Sequence, residues 1–125
     1  LDQSIKKLGP EFIQLTGEDG LAFEFNKRGG VGIISVTANI APRLCSDMQK
    51  FSKSDSDNEI KEAERIDNLL QPVHKALFIE SNPSPVKYAA KLLGLCDDAV
   101  RLPLVKTSEN AKPTIKKALE TAKLI

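Results

Sequence analysis

The chain has 125 residues, and its 18 basic and 17 acidic side chains leave a formal net charge of +1. So balanced a composition provides no basic field for nucleic acid or an anionic membrane surface, while 41% hydrophobic residues are enough for the core of one ordinary domain. Every apolar run falls far short of the roughly 20 residues of a membrane-spanning helix, and no signal-peptide pattern opens the chain.

Residues 1–8 end at Gly9-Pro10, a helix-stop pair, and read as the tail of a helix. Residues 12–16 form a first strand candidate, and a short helix is expected from Gly20 to Arg28 before Gly29-Gly30. Val31, Ile33, Ile34 and Val36 then make a β-branched run too short for a helix, so residues 31–36 read as a second strand. Being apolar on both faces, that run suits a parallel sheet covered on both sides. Strand, helix and strand in this order make a right-handed βαβ unit.

Beyond Asn39 the sequence becomes helical. Ile40, Leu44, Met48 and Phe51 recur at helical spacing, with Pro42 in the first turn. A polar interruption covers residues 52–57, after which Asp57 or Asn58 can cap a helix with Ile60, Ala63, Ile66, Leu69, Leu70, Val73, Leu77 and Phe78 on its apolar side. Pro72 should kink it. Asn82-Pro83 reads as the start of the next helix, with Asn82 as its cap and Gly94 as its left-handed terminator. Residues 101–105 look extended, and a final helix is expected over about 114–124, although Ser108 could begin a longer one.

Few side chains suggest chemistry on their own. Cys45 and Cys96 do not form a Cys-x-x-Cys pair, and with one histidine they make no metal cluster; both read as buried free thiols. His74 reads as a surface or interhelical hydrogen-bonding residue away from both strand exits. Lys87 could be an activated amine, but it falls on a helix and reads as structural. Ser35, Thr37 and Asn39 stand where the second strand ends, and Gly17-Glu18-Asp19 follows the first. In α/β folds ligands bind at that edge. Glu18 and Asp19 can instead favour the N-terminus of the following helix, and Ile34 can simply be core.

The string Gly29-Gly30-Val31-Gly32-Ile33-Ile34-Ser35-Val36-Thr37-Ala38-Asn39-Ile40-Ala41-Pro42 resembles the dihydrodipicolinate synthase family. Three further segments agree in order: Phe12 to Asp19, Leu77 to Ala89 (with Asn82-Pro83-Ser84-Pro85-Val86-Lys87), and Arg101-Leu102-Pro103-Leu104. The resemblance implies an α/β architecture in which residues 1–56 are the last two units of a (β/α)8 TIM barrel and residues 57–125 a C-terminal α-helical domain. A complete barrel needs about 250 residues, so this chain cannot close one alone.

The resemblance also implies a class I aldolase-like lyase of lysine and diaminopimelate biosynthesis that condenses pyruvate with aspartate semialdehyde through a lysine Schiff base. It implies no metal or organic cofactor, a cytoplasmic location and a homo-oligomer, a tetramer in the family. Ile34 would line the pyruvate pocket through its backbone. Gly17, Glu18 and Asp19 would border the electrophile side, with Glu18 where aspartate is common. The Schiff-base lysine and the tyrosine–threonine relay would lie upstream of Leu1, so the chain reads as a truncated piece, inactive alone and with no catalytic residue of its own. Related pyruvate-dependent aldolases, such as N-acetylneuraminate lyase or keto-deoxy sugar acid aldolases, are the sibling reading. A non-catalytic helical interaction module is the rival from another class.

Overall fold

The computed structural model describes residues 2–9 and 11–125. Helix α1 (Asp2–Leu8) ends where Gly9 takes φ +85° and its N–H returns to the Ile5 carbonyl at 2.9 Å. The other half of the expected stop, Pro10, lies outside the described residues, as does Leu1.

Strands β1 (Leu15–Thr16) and β2 (Gly32–Ile33) pair in parallel, with Leu15 opposite Gly32 and Thr16 opposite Ile33. Between them run a 3-10 turn (Asp19–Leu21) and helix α2 (Ala22–Lys27), which complete the expected βαβ order. Both strands are shorter than expected. The ladder is prolonged by only one bond at each end, from the Val31 N–H to the Gln14 carbonyl and from the Ile34 N–H to the Thr16 carbonyl. Past Ile34 the backbone N–H groups turn to a side chain instead. The second strand run is also covered only in part: Ile33 and Val36 pack on the core, whereas Val31 and Ile34 are exposed.

Gly30 is set by close approach. A Cβ there would meet the Phe25 ring at 2.0 Å and the Phe25 carbonyl oxygen at 2.8 Å, so only glycine lets the chain pass from α2 into β2. Asn26 ties α2 to the next element, donating from Nδ2 to Gln49 Oε1 and Ser52 Oγ, each at 2.9 Å.

A second 3-10 turn (Thr37–Asn39) leads into α3 (Pro42–Phe51), and α4 (Asp57–Ala76) follows. The cap position of α4 is Ser56 rather than Asp57 or Asn58; Asp57 and Glu59 fall in the first turn, where the helix dipole favours acids. Helix α4 continues through Pro72 to Ala76. Pro72 and Asn68, whose carbonyl loses its partner there, are both exposed, so water can complete the ladder.

Helix α5 (Ser84–Leu92) starts one residue after Pro83, with Pro85 in its first turn and no side-chain cap from Asn82, which corrects the expected start. Gly94 does close it in a Schellman motif: φ is +72°, its N–H bonds the Lys91 carbonyl, and the Leu95 N–H bonds the Ala90 carbonyl, both at 2.9 Å. Residues 101–105 are not a strand; a turn forms there, the Leu104 N–H reaching the Arg101 carbonyl at 3.0 Å. Helix α6 (Lys112–Thr121) begins earlier than expected because Pro113 fits its first turn, and it ends earlier, at Thr121. One apolar cluster joins α2, α3, α4, α5 and α6, with Leu70, Val73, Leu77, Ile115 and Leu119 fully buried at its centre.

Candidate functional site

Parallel pairing of β1 with β2 puts their C-terminal exits side by side. Asp19, only 3% exposed, is aimed from the first exit across to the second. Its carboxylate accepts the Ser35 hydroxyl, the Val36 N–H at 2.8 Å and the Thr37 N–H at 3.3 Å. Ser35 Oγ in turn accepts the Ala38 N–H at 2.8 Å. Asp19 thus caps the turn that follows β2, although the sequence alone suggests the helix after β1 as its natural target.

Thr37 is fully buried, and its hydroxyl meets His74 Nδ1 at 2.7 Å. His74 therefore sits beside the second exit, which corrects the expectation that it lies away from both. The signal was present in the sequence, since position 74 is four residues after Leu70 and three before Leu77, on the apolar face of α4. His74 is 4% exposed, and no partner for its Nε2 is found among the described residues. Burial pushes the imidazole below its ordinary value, against the opposing charges of Asp19, Asp67 and Glu18.

A cleft of about 600 Å³ opens at this point, lined by Glu18, Gly20, Leu21, Gln71, His74, Lys75 and Phe78. Gln71 Nε2 holds its wall by donating to the Gly20 carbonyl at 3.1 Å. Glu18 is exposed at the exit, its N–H bonded to Thr16 Oγ1 at 3.1 Å. Gly17 is exposed, with nothing within 4 Å of where a Cβ would stand. Ile34 is 73% exposed immediately beyond β2. Of the four sequence-derived site residues, then, Asp19 is tied into the Ile34 exit, while Gly17 and Glu18 remain open at the neighbouring one.

The remaining candidates lie apart. Cys45 is buried and free; burial, with the Asp19 charge, pushes its thiol up to about 11, partly offset by the Ser35 hydroxyl. Cys96 is free but exposed, which corrects the expectation of two buried thiols. It follows the Gly94 terminator, where α5 has ended and no element covers it. Lys87, half-buried on α5, lines a separate cleft with Arg101. Among the described residues no cluster of His, Cys, Asp or Glu could hold a metal ion, and no helix is long and apolar enough to cross a membrane.

This arrangement has close counterparts. The sequence pattern of the Dihydrodipicolinate synthetase family matches residues 1–122. The 4-hydroxy-tetrahydrodipicolinate synthase of Pelagibacter ubique is 62% identical over the whole chain, and that of Parvibaculum lavamentivorans is 49% identical over 96% of it. The chain spans 43% and 40% of the lengths of these two relatives. Among solved structures, the chloride-inhibited dihydrodipicolinate synthase of Acinetobacter baumannii, complexed with pyruvate, superposes with a TM-score of 0.88 at 36% identity, covering 97% of this chain and 40% of that one. Sequence and fold agree: the chain belongs to the dihydrodipicolinate synthetase family.

Proposed function

We propose that these residues are the C-terminal part of a 4-hydroxy-tetrahydrodipicolinate synthase, a cytoplasmic lyase that condenses pyruvate with aspartate semialdehyde through a lysine imine. The observation that carries this reading is the pair of adjacent strand exits clamped by Asp19, the edge where barrel enzymes place their chemistry. Residues 1–56 would supply the last two βα units of the barrel and residues 57–125 a helical domain against it. Homo-oligomerisation, as a tetramer, belongs to the same reading.

At the site, Ile34 would wall the pyruvate pocket. An imine intermediate needs a dry surface and a few fixed dipoles rather than another acid, and the Asp19 clamp keeps the backbone beyond Ile34 in one conformation. Gly17, Glu18 and Asp19 would border the side on which the aldehyde enters. The imine lysine would come from a barrel strand outside these residues, because every lysine here lies on a helix or loop and none on β1 or β2. This chain alone would therefore be inactive.

Two measurements test the reading. Borohydride reduction of this chain with pyruvate should leave its mass unchanged; a stoichiometric adduct on one lysine would overturn the assignment of the amine to another segment. A longer protein carrying these residues after the upstream barrel units should turn over pyruvate with aspartate semialdehyde. Turnover of pyruvate with a sugar aldehyde instead would place it with the sialic-acid and sugar-acid aldolases. In that protein Ile34→Lys should abolish pyruvate turnover, and Ile34→Val should cost only about 0.5–1.5 kcal/mol of stability.

A further inference from the structure

We propose that His74 is a positioning residue for the candidate site: from helix α4 it fixes Thr37, and through Thr37 the turn that presents Ile34 and Ser35. This rests on the reading of Ile34 as a wall of the pyruvate pocket.

The strand ladder ends with the Ile34 N–H on the Thr16 carbonyl. Beyond it the Val36 carbonyl accepts the Asn39 N–H and the Thr37 carbonyl accepts the Ile40 and Ala41 N–H groups, while the Val36 and Thr37 N–H groups and the Thr37 hydroxyl are left to side chains. Asp19 grips the two N–H groups from the first exit. His74 grips the Thr37 hydroxyl from helix α4, and among the described residues that hydroxyl has no other partner. Thr37 is thus held between the βαβ unit and the helical part of the chain.

An imidazole is a costly way to fill this place. Its neighbours along the α4 face are Leu70, Val73 and Leu77, all fully buried, and a leucine would pack there with no polar atom to satisfy. Nε2 is buried without a partner among the described residues, a further cost. The bond to Thr37 is the one return visible for carrying a polar ring in the core. It also links the helices to the exit by a directional contact, which apolar packing would not supply.

The substitutions that test this separate hydrogen bonding from volume. His74→Asn keeps a polar group near the Nδ1 position, His74→Leu removes it at similar volume, and Thr37→Val removes the hydroxyl alone. In NMR spectra of this chain, His74→Leu and Thr37→Val should both displace the amides of residues 34–38, while a surface control, Lys116→Ala, should not. In the longer protein each should raise the KM for pyruvate about tenfold, the scale of one lost hydrogen bond, with kcat changed far less. The double substitution should be no worse than either single one, and His74→Asn should recover most of the loss. Amides 34–38 that stay in place in Thr37→Val overturn the positioning role whatever the activity. So does an active longer protein whose pyruvate KM ignores both substitutions, or whose kcat and KM change only with its folded fraction. If the unsubstituted longer protein fails to turn over pyruvate, the functional reading falls by itself, and the amide displacements still decide the role of His74.

Discussion

Burial makes His74 a source of pH dependence. The fold disfavours its charged ring, so its folded value lies below the ordinary 6.5 while the unfolded chain keeps that value. Above 6.5 both states hold the ring neutral and the fold keeps its full stability. As pH falls below about 6.5 the unfolded state takes up a proton that the fold resists, so stability declines until the folded ring also titrates. Glu18, Asp19 and Asp67 face the ring and temper the effect; burial raises the Asp67 carboxyl itself. Chemical denaturation between pH 7 and pH 5 should show this decline, with a shallower slope in His74→Leu; an equal slope would remove His74 as its source. The two cysteines make an independent check on burial. With its thiol pushed up to about 11 and covered, Cys45 should resist a thiol reagent at neutral pH, whereas Cys96 reacts. One fast equivalent in the native chain and two in denaturant is the expected count.

At the scale of elements, the passage from α2 into β2 is the most exacting junction. Gly30→Ala would drive a methyl into the Phe25 ring and the Phe25 carbonyl, and the backbone contact cannot be relieved by a rotamer change. The loss should be about 2–4 kcal/mol, in the range of overpacked sites. Gly17→Ala, placed where a Cβ has open space, is the internal control and should stay within about 0.5 kcal/mol. Comparable melting of the two variants would mean that Phe25 yields. Elsewhere a few polar contacts join the elements: Asn26 to Gln49 and Ser52 between α2 and the end of α3, and Ser84 Oγ to the Val105 carbonyl at 2.6 Å across the loop before α6.

For the molecule as a whole, the strands are the poorly supported part. Phe12, Ile13, Leu15, Val31 and Ile34 are all exposed around a two-stranded sheet, leaving open edges and an apolar surface without a partner. Helices α4, α5 and α6, by contrast, surround Leu70, Val73, Leu77, Ile115 and Leu119. Hydrogen exchange on a dilute monomeric sample should therefore find the slowest amides in residues 58–124 and faster exchange through residues 1–40. The reverse order would mean that the sheet is stable without neighbours.

Hydrophobic period and punctuation in the sequence were sufficient for the order of the elements, the approximate helix spans and the Gly94 terminator, because each reflects forces that act within a turn or two of the chain, and the strand–helix–strand order then leaves parallel pairing as the short connection. The string from Gly29 to Pro42 likewise carried the family resemblance on local residues alone. What the sequence could not assign were the partners of its polar groups. Asp19 sits where it can favour the next helix, yet it turns to residues 35–37; His74 belongs to an apolar helix face, yet it reaches a threonine 37 positions earlier. Cys45 and Cys96 stand in similar apolar surroundings along the chain, but only Cys45 is covered. Such choices depend on which groups lose water together when the helices pack on the sheet, so only the tertiary structure decides them.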